Sequence, residues 1–275
     1  METANIFTVD VEEYYDAENI FTSLSGEEIR LLPKRIRIGA AKLLGLLERH
    51  RCKATFFVLG RVAEENRDLV REIFESGHEI ASHGYRHLPL WRHTASSFQE
   101  DLRHSIDILA GITGGPIDGY RATSFSLAAK IPWFFDALRN CGIRYDSSVS
   151  FSLFRPSFNG NGKSEGYFEI TEGILEFPVS SARIGPVKIP LGGGYFRAYP
   201  YGVSRWGLQH TGCNGSRYSL FYIHPWELDP EQPRLRLPRI KHLRHYLNLS
   251  STEKKLDRLL QDMKFVSIKD VLSSF

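Results

Sequence analysis

Cysteine is scarce: Cys52, Cys141 and Cys213 are the three in a chain of 275 residues. No short motif pairs them, so they suit neither a disulfide framework nor a cysteine-ligated zinc module, and a reducing, cytoplasmic location is expected. Long apolar runs are missing as well. No stretch approaches the roughly 20 apolar residues of a membrane span, and the start, Met1 to Phe7, carries neither the positive charge nor the apolar run of a signal peptide. The net charge of +3 is spread along the chain without a basic block, so nucleic acid is not an expected partner. The densest basic stretch, Arg234 to Arg244, reads as a solvated face or as a contact for an anionic glycan or lipid headgroup. No internal repeat is visible.

What is present is enough apolar material for a core, 42% of the residues, which makes one barrel-like α/β domain as plausible as two domains. Ile36, Ala40, Leu43, Leu44 and Leu47 recur at helical spacing. Ala54 to Leu59 is a short, continuously apolar run suited to a buried parallel strand. Helical stripes follow at Leu69, Val70, Ile73 and Phe74, at Phe98, Leu102, Ile106 and Leu109, and over Trp133 to Cys141, with glycines at 77, 114 and 142 as stops. Strand-like segments lead to His83, Arg121, Asp146 and His224. Chemistry-bearing residues therefore keep falling at strand ends, where parallel α/β barrels place their sites.

Two of those segments carry a ligand set. His83 and His87 are four apart beside Gly84, which favours a loop after a strand over a helix face, and Asp10 and Glu12 lie on one side of an extended segment while Val9 and Val11 face the other. Two imidazoles and one carboxylate fill the three protein positions of a catalytic zinc-type site, and the second carboxylate is left to act as general base on the water in the fourth. Glu12 is read as the ligand and Asp10 as the base, with the exchanged assignment open at this point.

The series Thr8-Val-Asp-Val-Glu12, Ser82-His-Gly-Tyr-Arg-His87, Tyr120-Arg-Ala-Thr-Ser-Phe-Ser126, Tyr145-Asp-Ser-Ser148 and Tyr222-Ile-His224 resembles the motifs of the NodB-type polysaccharide deacetylases, carbohydrate esterase family 4. The opening Asp-Val-Glu-Glu-Tyr-Tyr, Gly192-Gly-Gly-Tyr-Phe-Arg197 and His224-Pro-Trp-Glu-Leu-Asp-Pro230 are similar to the deacetylases of exosortase and exopolysaccharide loci. The resemblance implies a distorted (β/α)7 TIM-like barrel, the NodB homology domain, over 1–228 and a C-terminal extension over 229–275 packed on it. It further implies a divalent metal, zinc by preference, held by Glu12, His83 and His87, and removal of acetyl groups from an N-acetylated oligo- or polysaccharide or its lipid-linked precursor. Asp10 would be the base, Arg121 its holder and His224 the general acid. Asp146 would orient another residue or else cap a turn, and a backbone N–H of the Ser124-Phe125 turn would face the developing oxyanion.

The chain departs from the commonest pattern in three places. Val11 separates the two acids, Thr123 stands where related sequences often have proline, and Tyr-Asp-Ser-Ser lacks the usual Asp-x-x-Trp form. Among the aromatics Tyr14, Tyr15, Tyr195, Phe196 and Trp226, the neighbouring glycines or proline pick out Tyr195 and Trp226 as exposed sugar contacts. Two other functions compete: an allantoinase- or formamidase-like amidase on the same barrel, and a carbohydrate-binding barrel without catalysis. A monomer able to act alone is expected, with a homo-oligomer open.

Overall fold

The computed structural model describes residues 4–21, 23–127, 131–152, 155–156, 167–184, 187–211 and 218–273; Cys213 lies outside them. The first strands are β1 (Ala4–Val11), β2 (Thr55–Val58), β3 (Glu79–Ser82), β4 (Gly119–Tyr120) and β5 (Tyr145–Asp146). A short hairpin of β6 (Phe151–Ser152) and β7 (Arg155–Pro156) precedes β8 (Phe168–Thr171) and β9 (Ile174–Glu176). A second hairpin, β10 (Ser181–Ile184) and β11 (Val187–Pro190), leads on to β12 (Tyr218–Ile223) and β13 (Phe265–Val266).

The main sheet runs β12-β1-β2-β3-β4-β5-β9 with every neighbouring pair parallel, and β8 is added antiparallel at its edge. This is the seven-stranded (β/α) barrel that the resemblance implies. The gap between β9 and β12 is bridged by Ser180, whose N–H donates to the Leu220 carbonyl at 3.1 Å. Residues beyond 229 are part of the same sheet, because β13 pairs with β1 at Asn5 and Ile6.

Each helix stripe read from the sequence is a helix, at Ile36–Arg49, Arg67–Glu75, Ala95–Thr113 and Phe134–Asn140. Within the second, Phe74 is exposed, so the buried stripe there is Leu69, Val70 and Ile73. Gly77, Gly114 and Gly142 all have positive φ, the left-handed geometry that ends a helix without a Cβ clash. The outward faces of the strands, including Val9, Val11, Phe56 and Val58, join these helices in one apolar layer. Inward positions are polar toward the strand ends: Thr8 and Asp10 on β1 are buried. A β-strand's two-residue period thus separates core from chemistry along a single segment.

Two close approaches fix the frame. Gly39, on the helix Ile36–Arg49, lies so near the Pro225 carbonyl that any Cβ would overlap it. At the start of the same helix, the Glu13 carboxylate accepts the backbone N–H groups of Arg35 (2.9 Å) and Ile36 (3.1 Å), two of the donors a helix start leaves unpaired.

Candidate active site

The end of β1 delivers Asp10 and Glu12, the end of β3 delivers His83, and the turn beyond it delivers His87. That turn is held from three sides. The His83 N–H donates to the Val58 carbonyl (3.0 Å), the Gly60 N–H to the Gly84 carbonyl (2.8 Å), and the Tyr85 N–H to the Asp101 carboxylate (2.7 Å). Gly84 has φ +76°, and His87, at φ 56°, adopts a left-handed backbone unusual for a residue with a side chain.

Glu12, His83 and His87 are all buried, and one possible ligand atom from each lies within 4.8 Å of the others. Nδ1 of His83 donates to the Arg121 carbonyl at 2.8 Å, which leaves Nε2 as a lone-pair donor facing the cluster. Burial lowers the His83 pKa to about 4, so the ring stays neutral. Nε2 of His87 is 2.7 Å from Glu12 Oε2, yet that buried oxygen has no hydrogen-bond partner among the described residues. The contact is therefore a close approach without the directionality of a hydrogen bond. An orphaned buried carboxylate oxygen and two histidine nitrogens converging on it fit a divalent cation.

Burial by itself would raise the Glu12 carboxyl, but the facing His87 and His224 reverse this and bring it down to about 2. His87 shows the reciprocal effect: burial opposes its protonated form, and the Glu12 charge outweighs burial and lifts the ring above its ordinary range.

Asp10 is engaged differently. Its Oδ1 accepts from Arg121 at 2.6 Å, and that guanidinium is fully buried. The remaining Arg121 donors reach Thr8 Oγ1 (3.0 Å), the Ser147 carbonyl (3.1 Å) and Ser147 Oγ (2.8 Å), while the Phe57 ring covers one face at 4.1 Å. Asp10 is outside the three-residue ligand group, so the arrangement distinguishes the two carboxylates that the sequence left exchangeable.

His224, at the end of β12, closes the cleft. Its Nε2 faces Glu12 Oε1 at 3.1 Å and Asp10 Oδ2 at 3.9 Å, and its Nδ1 donates to Glu227 Oε1 at 2.7 Å. Burial works against the charged ring, but Glu12 and Glu227 together raise its pKa to about 9. Thus Asp10, Glu12, His83, His87, Arg121 and His224 meet in one place.

The other five site residues are spread over four places. Asp146 is fully buried and does not touch the reacting groups: its Oδ1 accepts from Ser148 Oγ (2.5 Å), which accepts the Ala122 N–H (2.8 Å), so it positions the backbone next to Arg121. Trp226 is not an exposed sugar contact. It is buried, with His224 stacked at 5.3 Å and His245 at 4.5 Å, because the proline before it starts a tight turn against the core instead of a loose loop. Tyr195 is half-buried on the short helix Gly193–Ala198, whose glycines serve close packing on the Tyr222 ring and not an open loop. In the Ser124-Phe125 turn both residues have positive φ, and the Phe125 N–H is already spent on the Ala122 carbonyl (3.1 Å). Ser124 is the member left to offer its N–H; Phe125 instead packs its ring at 5.5 Å from the Arg121 guanidinium. Tyr14, Tyr15 and Phe196 are core residues.

Sequence reasoning passed over Thr8, Ser147, Arg197 and Glu227. The last had a visible signal, an acid three residues after His224 with proline between them, the pattern of a capped turn.

A parallel barrel with this carboxylate and histidine centre defines the class. Residues 38–145 match the family model described as polysaccharide deacetylase. Residues 150–273 match a second model, described as a domain of unknown function, DUF3473. Among curated proteins, the peptidoglycan deacetylase of Helicobacter pylori is 29% identical over 133 residues, 46% of this chain and 42% of that protein. The match thus spans less than half the length of that relative. Among solved structures, a putative polysaccharide deacetylase from Mycobacterium smegmatis has 21% identity and a TM-score of 0.63, covering 99% of this chain and 90% of that one. A CE4 family pseudoenzyme from Bacillus anthracis also shares the fold, at 12% identity and a TM-score of 0.53 over 98% of this chain and 66% of its own. The barrel alone does not make a catalyst, and the argument for one rests on the site.

Proposed function

We propose that this protein is a metal-dependent hydrolase that removes acetyl groups from N-acetylated sugars of a polysaccharide or its lipid-linked precursor. The observation that carries the reading is the cluster of Glu12, His83 and His87 with Asp10 and His224 on its rim. Glu12, His83 and His87 would hold the ion, zinc by preference for this nitrogen and oxygen donor set, and when bound it would supply Lewis-acid polarisation and a more acidic water.

The chain's own groups do the proton work. Asp10, aimed by Arg121, accepts a proton from the attacking water. The N–H of Ser124 is the turn donor available to the carbonyl oxygen as charge develops there. When the C–N bond breaks, its electron pair stays on the sugar nitrogen, which takes the Nε2 proton of His224; the acetate keeps the water oxygen. An amine anion is too poor a leaving group to depart without that proton.

The sequence likeness to deacetylases of exosortase and exopolysaccharide loci supports an exopolysaccharide under assembly as substrate. The unbonded Cys52 and Cys141 support action in the cytoplasm, before export. For the chain's organisation we propose a barrel over 1–228 and an extension over 229–275 that packs on it and adds β13 to its sheet.

Purified protein stripped with a chelator and reloaded with zinc tests the reading. Acetate release from N-acetylglucosamine oligomers, peptidoglycan fragments or lipid-linked saccharides should vanish on stripping and return with the ion. Activity indifferent to chelation, or turnover confined to allantoin or formyl compounds, would overturn it.

A further inference from the structure

The second half of the chain holds a buried charge relay that the deacetylase model's residues 38–145 do not contain. Glu227 is fully buried, and one of its oxygens, Oε1, accepts both the Nδ1–H of His224 (2.7 Å) and the His224 backbone N–H (3.1 Å). The other oxygen, Oε2, accepts from Arg197 Nε at 2.5 Å. Arg197, itself buried, spends its remaining donors on the carbonyls of Arg244 (3.1 Å), His245 (2.9 Å) and Leu247 (2.7 Å), at the C-terminal end of the helix Arg239–Tyr246. A cation belongs there, since the last carbonyls of a helix are unpaired and carry its negative pole. Trp226 then fills the space between the His224 and His245 rings.

From this arrangement we infer that Glu227 is the positioning residue for the His224 general acid, and that Arg197 in turn positions Glu227. The inference rests on the function proposed above and deepens it. A histidine ring has two nitrogens, and an acceptor fixed at Nδ1 puts the transferable proton on Nε2, the nitrogen that faces Asp10 and Glu12. Asp146 does not do this, because its bonds run to Ser148 and away from His224. The segment matched only as a domain of unknown function, residues 150–273, therefore contributes both the acid and the support that aims it. It is half of the reaction centre and not an appendage.

A general acid matters in proportion to how badly the leaving group needs a proton, and this gives a test that loss of fold cannot mimic. The full chain, zinc-loaded, is assayed as wild type and as Glu227→Gln on N-acetylglucosamine oligomers, whose amine must be protonated, and on 4-nitrophenyl acetate, whose phenolate need not be. The amide kcat should fall on the order of 10²-fold with KM within about twofold, while the ester rate falls less than tenfold. Glu227→Asp should recover part of the amide rate. Removing one partner leaves a buried charge, so the double variant Glu227→Met with Arg197→Met provides a folded check and should repeat the amide-selective loss. Nitrogen-15 spectra of the neutral His224 ring should show the fixed Nδ1–H of the wild type giving way to a mixture of tautomers in Glu227→Gln and in the double variant. Equal losses on amide and ester, or no loss on either, would overturn the relay while leaving the deacetylase reading intact. A wild type inactive on both substrates would remove that reading, and the relay with it.

Discussion

The two walls of the site differ in how completely their buried carboxylates are paired. On the wall built from β1 and β3, Glu12 Oε2 is buried without a hydrogen-bond partner and the His83 and His87 rings converge on it. On the wall built from residues 197–247, every Arg197 nitrogen has an acceptor and both Glu227 oxygens are used. Buried polar groups left open cost free energy unless something completes them. The first wall is thus arranged to receive a ligand, and the second to hold one ring still.

The largest way to break this contrast is to close the open wall. In Glu12→Ala, zinc content measured on purified protein should fall to background and acetate release should drop about 10³-fold, the equivalent of several kcal/mol of Lewis-acid stabilisation. Retention of both would mean that the cluster is not the ion's seat.

A second comparison sharpens the closed wall. Trp226→Ala should lower unfolding stability by about 3 kcal/mol in chemical denaturation, because a buried ring leaves a cavity, whereas Tyr195→Ala, at a half-buried position, should stay within about 0.5 kcal/mol and instead raise KM a few-fold. If Trp226→Ala changed KM alone, its ring would be a sugar platform after all.

The smallest effect concerns a third region behind Arg121, where Asp146 and Glu176 pair across β5 and β9 and are both fully buried. Burial pushes both carboxyls above their ordinary range, so the folded state keeps a proton that the unfolded chain releases. Stability therefore falls as pH rises above about 4, the unfolded carboxylate range, and the loss is complete once the folded pair has ionised. Asp146→Asn should flatten that fall by at most about 1.4 kcal/mol per pH unit, read from denaturation midpoints at a series of pH values. An unchanged slope would exclude the pair as its source.

Much of the fold was legible because period-two and helical patterns are local. Ala54 to Leu59 reads as a buried strand and forms one, and the residues ending β1, β3, β4 and β12 do meet in one place. The ligand assignment was legible in part: alternation put Asp10 and Glu12 on one side, but only the Arg121 side chain, delivered from far along the chain, tells the two apart. The exposed loops expected at Trp226 and Tyr195 were misjudged for a different reason. Glycine and proline mark places where the backbone can turn, and such places can also be where two backbones or a ring and a backbone come unusually close, as Gly192 and Gly193 do over Tyr222. Arg197 and Glu227 stood inside quoted motifs but were given no role, because their pairing needs the helix Arg239–Tyr246 to present its carbonyls.

Gly39 gives the outer shell of the barrel a say in the chemistry. A single methyl group there would push on the Pro225 carbonyl, one peptide unit from His224, so the width of a surface helix sets where that ring sits.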